Sequence, residues 1–90
     1  MEKHLMIKIF GKVQGVSFRY YAREEALKLN LCGFVRNEFG GAVCIEAEGE
    51  EKSLQKFLDW CRRGTDAARV EKIEFAFSVD LKKFIEFEVF

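Results

Sequence analysis

The hydrophobic period of this chain switches between two and about 3.6 residues, and glycines mark the switches. Leu5, Ile7, Ile9 and Val13 share one parity, with Met6, Lys8 and Lys12 on the other. That alternation predicts a strand with one buried face. Gly11 and Gly15 bracket a tight segment, after which Phe18, Tyr21, Ala22, Ala26 and Leu29 form a helical stripe. Asn30 and Gly33 supply stop signals. Two strand-like runs, 34–39 and 42–48, then flank Gly40-Gly41, which predicts a β-hairpin because both glycines can take positive φ. Leu54, Phe57, Leu58 and Cys61 make a second helical stripe, with Ser53 or Glu50 as its cap. Val70, Ile73, Phe75, Phe77 and Val79 read as a strand. After a short turn near Asp80, Ile85, Phe87 and Val89 read as a last one.

The resulting order is β-α-β-β-α-β with an added terminal strand. It predicts an α+β, ferredoxin-like sandwich: an antiparallel sheet with two helices on one face, plus a short C-terminal strand. Ninety residues leave room for one core, so residues 1–90 are expected to be a single domain. A hydrophobic content of 49% suffices for that core and excludes a disordered chain. Trp60 and the ten Phe are expected to fill it, and His4 to lie exposed near the terminus.

Fifteen basic and fifteen acidic residues give no net charge, which speaks against a dedicated nucleic-acid binder. Cys32, Cys44 and Cys61 form no C-x-x-C pair and cannot all bond to one another, so free thiols in a reducing, cytoplasmic compartment are expected. No apolar run is long enough for a signal peptide or a membrane span.

The composition also removes familiar hydrolytic chemistries. Gly11-Lys12 is followed by Val13, so no Walker A loop is present. Six residues on from the three cysteines lie Glu38, Glu50 and Ala67, so no thiolate has the phosphate-binding Arg of a cysteine phosphatase. A lone histidine builds no serine triad, and three scattered aspartates build no metal cluster. Any catalysis is expected to be free of metal, cofactor and covalent intermediate.

What remains is Gly11-Lys12-Val13-Gln14-Gly15-Val16-Ser17-Phe18-Arg19, between the first strand and the first helix. Glycines there let successive N–H groups face one concavity, and the helix terminus adds unpaired donors. Arg19 adds a planar fork matched to phosphate oxygens. An Arg in the first helical turn is unfavourable beside the helix dipole, which suggests an anion between them. The residues alone also permit an ordinary strand–turn–helix with a solvated Arg. Asn37, taken alone beside Gly40-Gly41, reads as a turn residue.

Those nine residues resemble the Gly-x-Val-Gln-Gly-Val-x-Phe-Arg signature of the acylphosphatase family. Gly33-Phe34-Val35-Arg36-Asn37, followed by Gly40-Gly41, is similar to the second signature of that family. The resemblance runs from about Leu5 to Phe90. It implies hydrolysis of acyl phosphates to a carboxylate and inorganic phosphate, the latter also a competitive inhibitor. It implies that Gln14, Gly15, Val16, Ser17 and Phe18 hold the phosphate with Arg19, and that Asn37 positions the attacking water. No metal, nucleic acid or membrane enters that chemistry, and a monomer is expected. The alternatives are an RNA-binding module, whose fold shares this element order, and a regulatory ferredoxin-like domain without activity.

Overall fold

A computed structural model describes all ninety residues, Met1–Phe90. Along the chain run β1 (Glu2–Lys12), α1 (Phe18–Lys28), β2 (Cys32–Asn37), β3 (Val43–Glu50), α2 (Glu51–Arg63), β4 (Arg69–Ser78) and β5 (Phe87–Val89). The sheet order is β4-β1-β3-β2-β5. The first four strands in that order pair antiparallel, as expected. The short terminal strand β5 adds to β2 in parallel, so the complete sheet is mixed.

The parity read in β1 is the buried one. Leu5, Ile7 and Ile9 are fully buried and pack with Val35, Val43, Ile45 and Ala47. Onto that face α1 lays Phe18, Ala22 and Ala26, and α2 lays Leu54, Phe57, Leu58 and Cys61. Together these residues form one core. At about 25 cal/mol per Å² of apolar surface, each buried Val, Leu, Ile or Phe among them contributes about 1.5–3 kcal/mol before chain entropy is counted. Glu50 precedes α2 in extended conformation, but its side chain makes no capping bond.

Gly11 explains how β1 turns into the loop that follows. The β1–β4 register shifts between Phe10 and Gly11, leaving Glu71 as an extra residue of β4. That bulge lets Val70 and Ile73, three apart, both pack against the core. A Cβ at position 11 would lie 2.1 Å from the Arg69 carbonyl oxygen, so only glycine fits there.

Several expectations need correction. The hairpin connection is five residues, 38–42, rather than a tight Gly-Gly turn. It closes by a hydrogen bond from the Glu38 N–H to the Ala42 oxygen at 2.8 Å. Phe39 at its tip is fully exposed, and Phe75 and Phe90 are also exposed, so the Phe set is not all core. Tyr21 is exposed despite its place in the α1 stripe. Val79 and Ile85 are exposed too, because residues 79–86 form no strand.

That segment is instead bound to a polar cluster on the open face of the sheet. His4 is buried, not exposed: Nδ1 lies 2.7 Å from Glu48 Oε2 and Nε2 lies 3.2 Å from Glu46 Oε1. Glu48 also accepts from the main-chain N–H groups of Lys82, Lys83 and Phe84 at 2.6, 2.9 and 3.3 Å. The Phe84 ring stacks on His4 and meets Phe34 edge-on.

Candidate active site

The loop between β1 and α1 is built to present main-chain donors. Gly15 has φ 73° and Ser17 has φ 61°, ψ 21°, so left-handed residues recur at alternate positions. Such alternation turns successive N–H groups toward one side. Every main-chain N–H from Gln14 to Tyr20 lacks an acceptor within the protein. Ser17 stands at the N-cap of α1 without a side-chain capping bond, and the first turn carries no acidic residue. The positive end of the helix is therefore unneutralised by the chain itself. The buried ring of Phe18, 5.3 Å from that of Trp60, and the packing of Val16 fix this loop to the core.

Arg19 is half-buried at the same end of the helix. No acidic side chain pairs with it. Its Nη1 donates to the main-chain oxygen of Phe90, whose own N–H donates to the Val35 oxygen at 2.9 Å. One turn on, Arg23 Nε donates to the Phe87 oxygen at 3.2 Å. Phe90, just after the terminal strand, thus steadies one edge of the guanidinium, and the other N–H groups of Arg19 have no protein acceptor.

Asn37 is the last residue of β2, paired with Val43. Its Oδ1 is buried and has no hydrogen-bond partner. A buried acceptor left unmade costs about 1–3 kcal/mol, so such an atom in a folded chain calls for a reason. A cleft of about 370 Å³ brings these pieces together, lined by Val13, Gly15, Ser17, Phe18, Arg19, Tyr20, Asn37 and Val89.

Of the residues named from sequence, Gly15, Ser17, Phe18, Arg19 and Asn37 therefore share one cleft. Gln14 and Val16 belong to the loop but do not line it. Gln14 turns its side chain away to the 38–42 turn. Val16 faces a wider cleft of about 550 Å³ between α1 and residues 64–67, where Thr65 Oγ1 is the other buried side-chain atom without a partner. The two clefts meet at Ser17, but only the smaller one contains Arg19 and Asn37. Val13, Tyr20 and Val89 also line the cleft, and none of them is a site residue expected from the sequence. Val89 comes from a strand whose parallel pairing no local pattern announces.

No three His, Cys, Asp or Glu side chains come together as metal ligands. The thiols are free; burial, then Glu38, raises the Cys44 pKa, and burial pushes Cys61 far up. Neither is activated as a nucleophile.

The acylphosphatase family model matches residues 5–89. The chain belongs to the acylphosphatase family. An acylphosphatase of Clostridium acetobutylicum is 48% identical over 73 residues, covering 81% of this chain and 79% of that protein. One from Oceanobacillus iheyensis is 39% identical over 88 residues, covering 97% of each chain. The crystal structure of acylphosphatase from Bacillus subtilis superposes with a TM-score of 0.93 at 37% identity, covering 100% of this chain and 99% of that one. The family fold is thus retained from β1 through β5. No helix is long and apolar enough to cross a membrane.

Proposed function

We propose that this acylphosphatase hydrolyses its substrate in the cleft between the 14–18 segment, Arg19 and Asn37, by direct attack of water on phosphorus. The observation that carries the reading is the juxtaposition of two kinds of unpaired group in one cleft. Donors without acceptors line one side, and Asn37, whose buried Oδ1 has no donor, lines the same cleft.

The donors suit the three terminal oxygens of a phosphate, with the Arg19 fork as the cation. Asn37 Oδ1 suits a water O–H. Accepting that hydrogen bond aims the water oxygen at phosphorus. The new P–O bond forms as the carboxyl O–P bond breaks. The bonding electron pair leaves on the carboxylate, and the water proton passes to phosphate or solvent. A carboxylate has a conjugate acid of pKa about 4, so it departs without a general acid. The transition state of phosphoryl transfer is loose, and positioning with charge stabilisation supplies most of the catalysis. A neutral amide is enough to orient water in such chemistry.

The loop, Arg19 and Asn37 suffice for this chemistry without a second copy, so the proposal takes a monomer acting on a small acyl phosphate. The zero net charge supports the absence of a nucleic-acid partner, and the three free thiols support a cytoplasmic setting. The test is phosphate release from benzoyl phosphate, compared with release from phenyl phosphate. The acyl phosphate should be hydrolysed and the ester scarcely touched, because a poorer leaving group needs acid assistance. Equal rates on both would overturn the assignment.

A further inference from the structure

Gln14 stands apart from the other loop residues because its side-chain amide nitrogen is hydrogen-bonded to the protein. Its amide nitrogen donates two hydrogen bonds, to the main-chain oxygens of Glu38 and Ala42, both 2.8 Å long. These oxygens sit at the two ends of the 38–42 turn, immediately after Asn37. The turn closes on itself by main-chain bonds from Glu38 N–H to Ala42 oxygen and from Gly41 N–H to Glu38 oxygen, and is otherwise sparsely held. Gly40 and Gly41 have open space where a Cβ would stand, and Phe39 projects into solvent. Its remaining side-chain ties are the ion pairs of Glu38 with Lys8 at 3.2 Å and Arg36 at 3.7 Å, both at partly exposed positions. Such pairs hold a geometry weakly. On the other side, residues 13–17 make no main-chain bond through their own N–H groups. Gln14 is the one side chain of that loop hydrogen-bonded to the rest of the protein.

We propose that Gln14 is a positioning residue: its two hydrogen bonds staple the phosphate-binding loop to the turn that follows Asn37, and so fix the distance from the phosphate to the water that Asn37 orients. This rests on the reading of Asn37 given above. The staple spans the two halves of the cleft, and neither half depends on it for its own backbone conformation. The N–H concavity is set by Gly15 and Ser17, and Asn37 by its pairing with Val43. Losing the staple therefore changes the relation between the halves more than either half. Misplacement on the order of 1 Å is enough to cost about 100-fold in rate.

The experiment is a double-mutant cycle on Gln14→Ala and Asn37→Ala, with kcat on benzoyl phosphate and the inhibition constant of inorganic phosphate measured for each protein. Gln14→Ala should lower kcat by about 10- to 100-fold, with the phosphate inhibition constant changed less than about threefold. In the Asn37→Ala background the same change should cost less than about threefold, because nothing remains to be positioned. Gln14→Met, which keeps the volume without the donors, should behave as Gln14→Ala and serves if the alanine variant does not fold. If the two losses multiply while Asn37→Ala alone is impaired, the staple is wrong and the role of Asn37 stands. If Asn37→Ala keeps full turnover, both are wrong. A phosphate inhibition constant that rises as far as kcat falls would place Gln14 in phosphate binding instead, and would also overturn the proposal.

Discussion

Two stretches of this molecule gather successive main-chain N–H groups into a concavity, and they differ in where the anion comes from. At residues 82–84, with Lys83 at φ 62°, the N–H groups converge on Glu48, a carboxylate of the same chain. At residues 14–20, with Gly15 and Ser17 left-handed, no acceptor of the chain faces the donors. The first arrangement is complete in itself and ties the segment after β4 onto the sheet. The second is left open by the chain, and in the proposed reading the substrate phosphate fills it. In the proposed reading the same backbone device is a structural clasp in one place and a phosphate-binding site in the other, and the difference lies in one carboxylate.

This contrast can be broken most severely at Arg19. Arg19→Ala should lower turnover by about 10³-fold or more and raise the phosphate inhibition constant. Arg19→Lys should not restore either, since a point charge cannot replace the fork. Thermal unfolding of both variants should stay within a few degrees of the parent. A cooperative unfolding shift as large as that of a core variant would show that Arg19 serves the fold instead.

Glu48 should show the opposite profile. Glu48→Ala leaves three main-chain donors and a buried histidine without their acceptor, a loss of about 3 kcal/mol. Denaturation should register that loss while phosphate inhibition stays unchanged. A variant of normal stability would mean that the clasp is decorative.

The acid limb sharpens the same contrast. Burial of Glu48 acts to raise its pKa, but the Lys82 N–H, His4, and the Phe84 and Lys83 N–H groups outweigh it and hold the carboxyl below its ordinary value. A folded-state pKa below the unfolded one stabilises at pH above about 4.3, and that stabilisation disappears as pH falls through the folded value. The stability gap between the parent and Glu48→Gln should thus be widest near pH 7 and narrow toward pH 3. A gap independent of pH would refute the linkage. The smallest effect expected is none: a chelator should leave acyl phosphate hydrolysis unaltered, and loss of activity restored by Mg²⁺ would contradict the metal-free reading.

Legibility in the sequence followed the range of the interactions. The parity of Leu5, Ile7 and Ile9 and the stripe of Leu54, Phe57, Leu58 and Cys61 are local patterns, and both proved to be core. Gly15 in the loop and Arg19 in the first turn of α1 could be placed from sequence because turn chemistry and helix ends are local too. His4 was misread because its partners lie 44 and 42 residues away on a neighbouring strand. The course of 79–86 was hidden for the same reason, since Glu48 captures it where apolar pattern had suggested strand. Gln14 sat in the right loop, yet the direction of its amide depends on a turn 24 to 28 residues on.

Central to this account is a division of labour inside one cleft, with the loop and Arg19 binding phosphate and Asn37 aiming water. The most direct test is Asn37→Ala, read through turnover of benzoyl phosphate and inhibition by inorganic phosphate in the same preparation. Turnover should fall by about 10²- to 10³-fold, with the inhibition constant within about threefold of the parent. Unchanged turnover, or phosphate affinity that falls as far as turnover does, would contradict it.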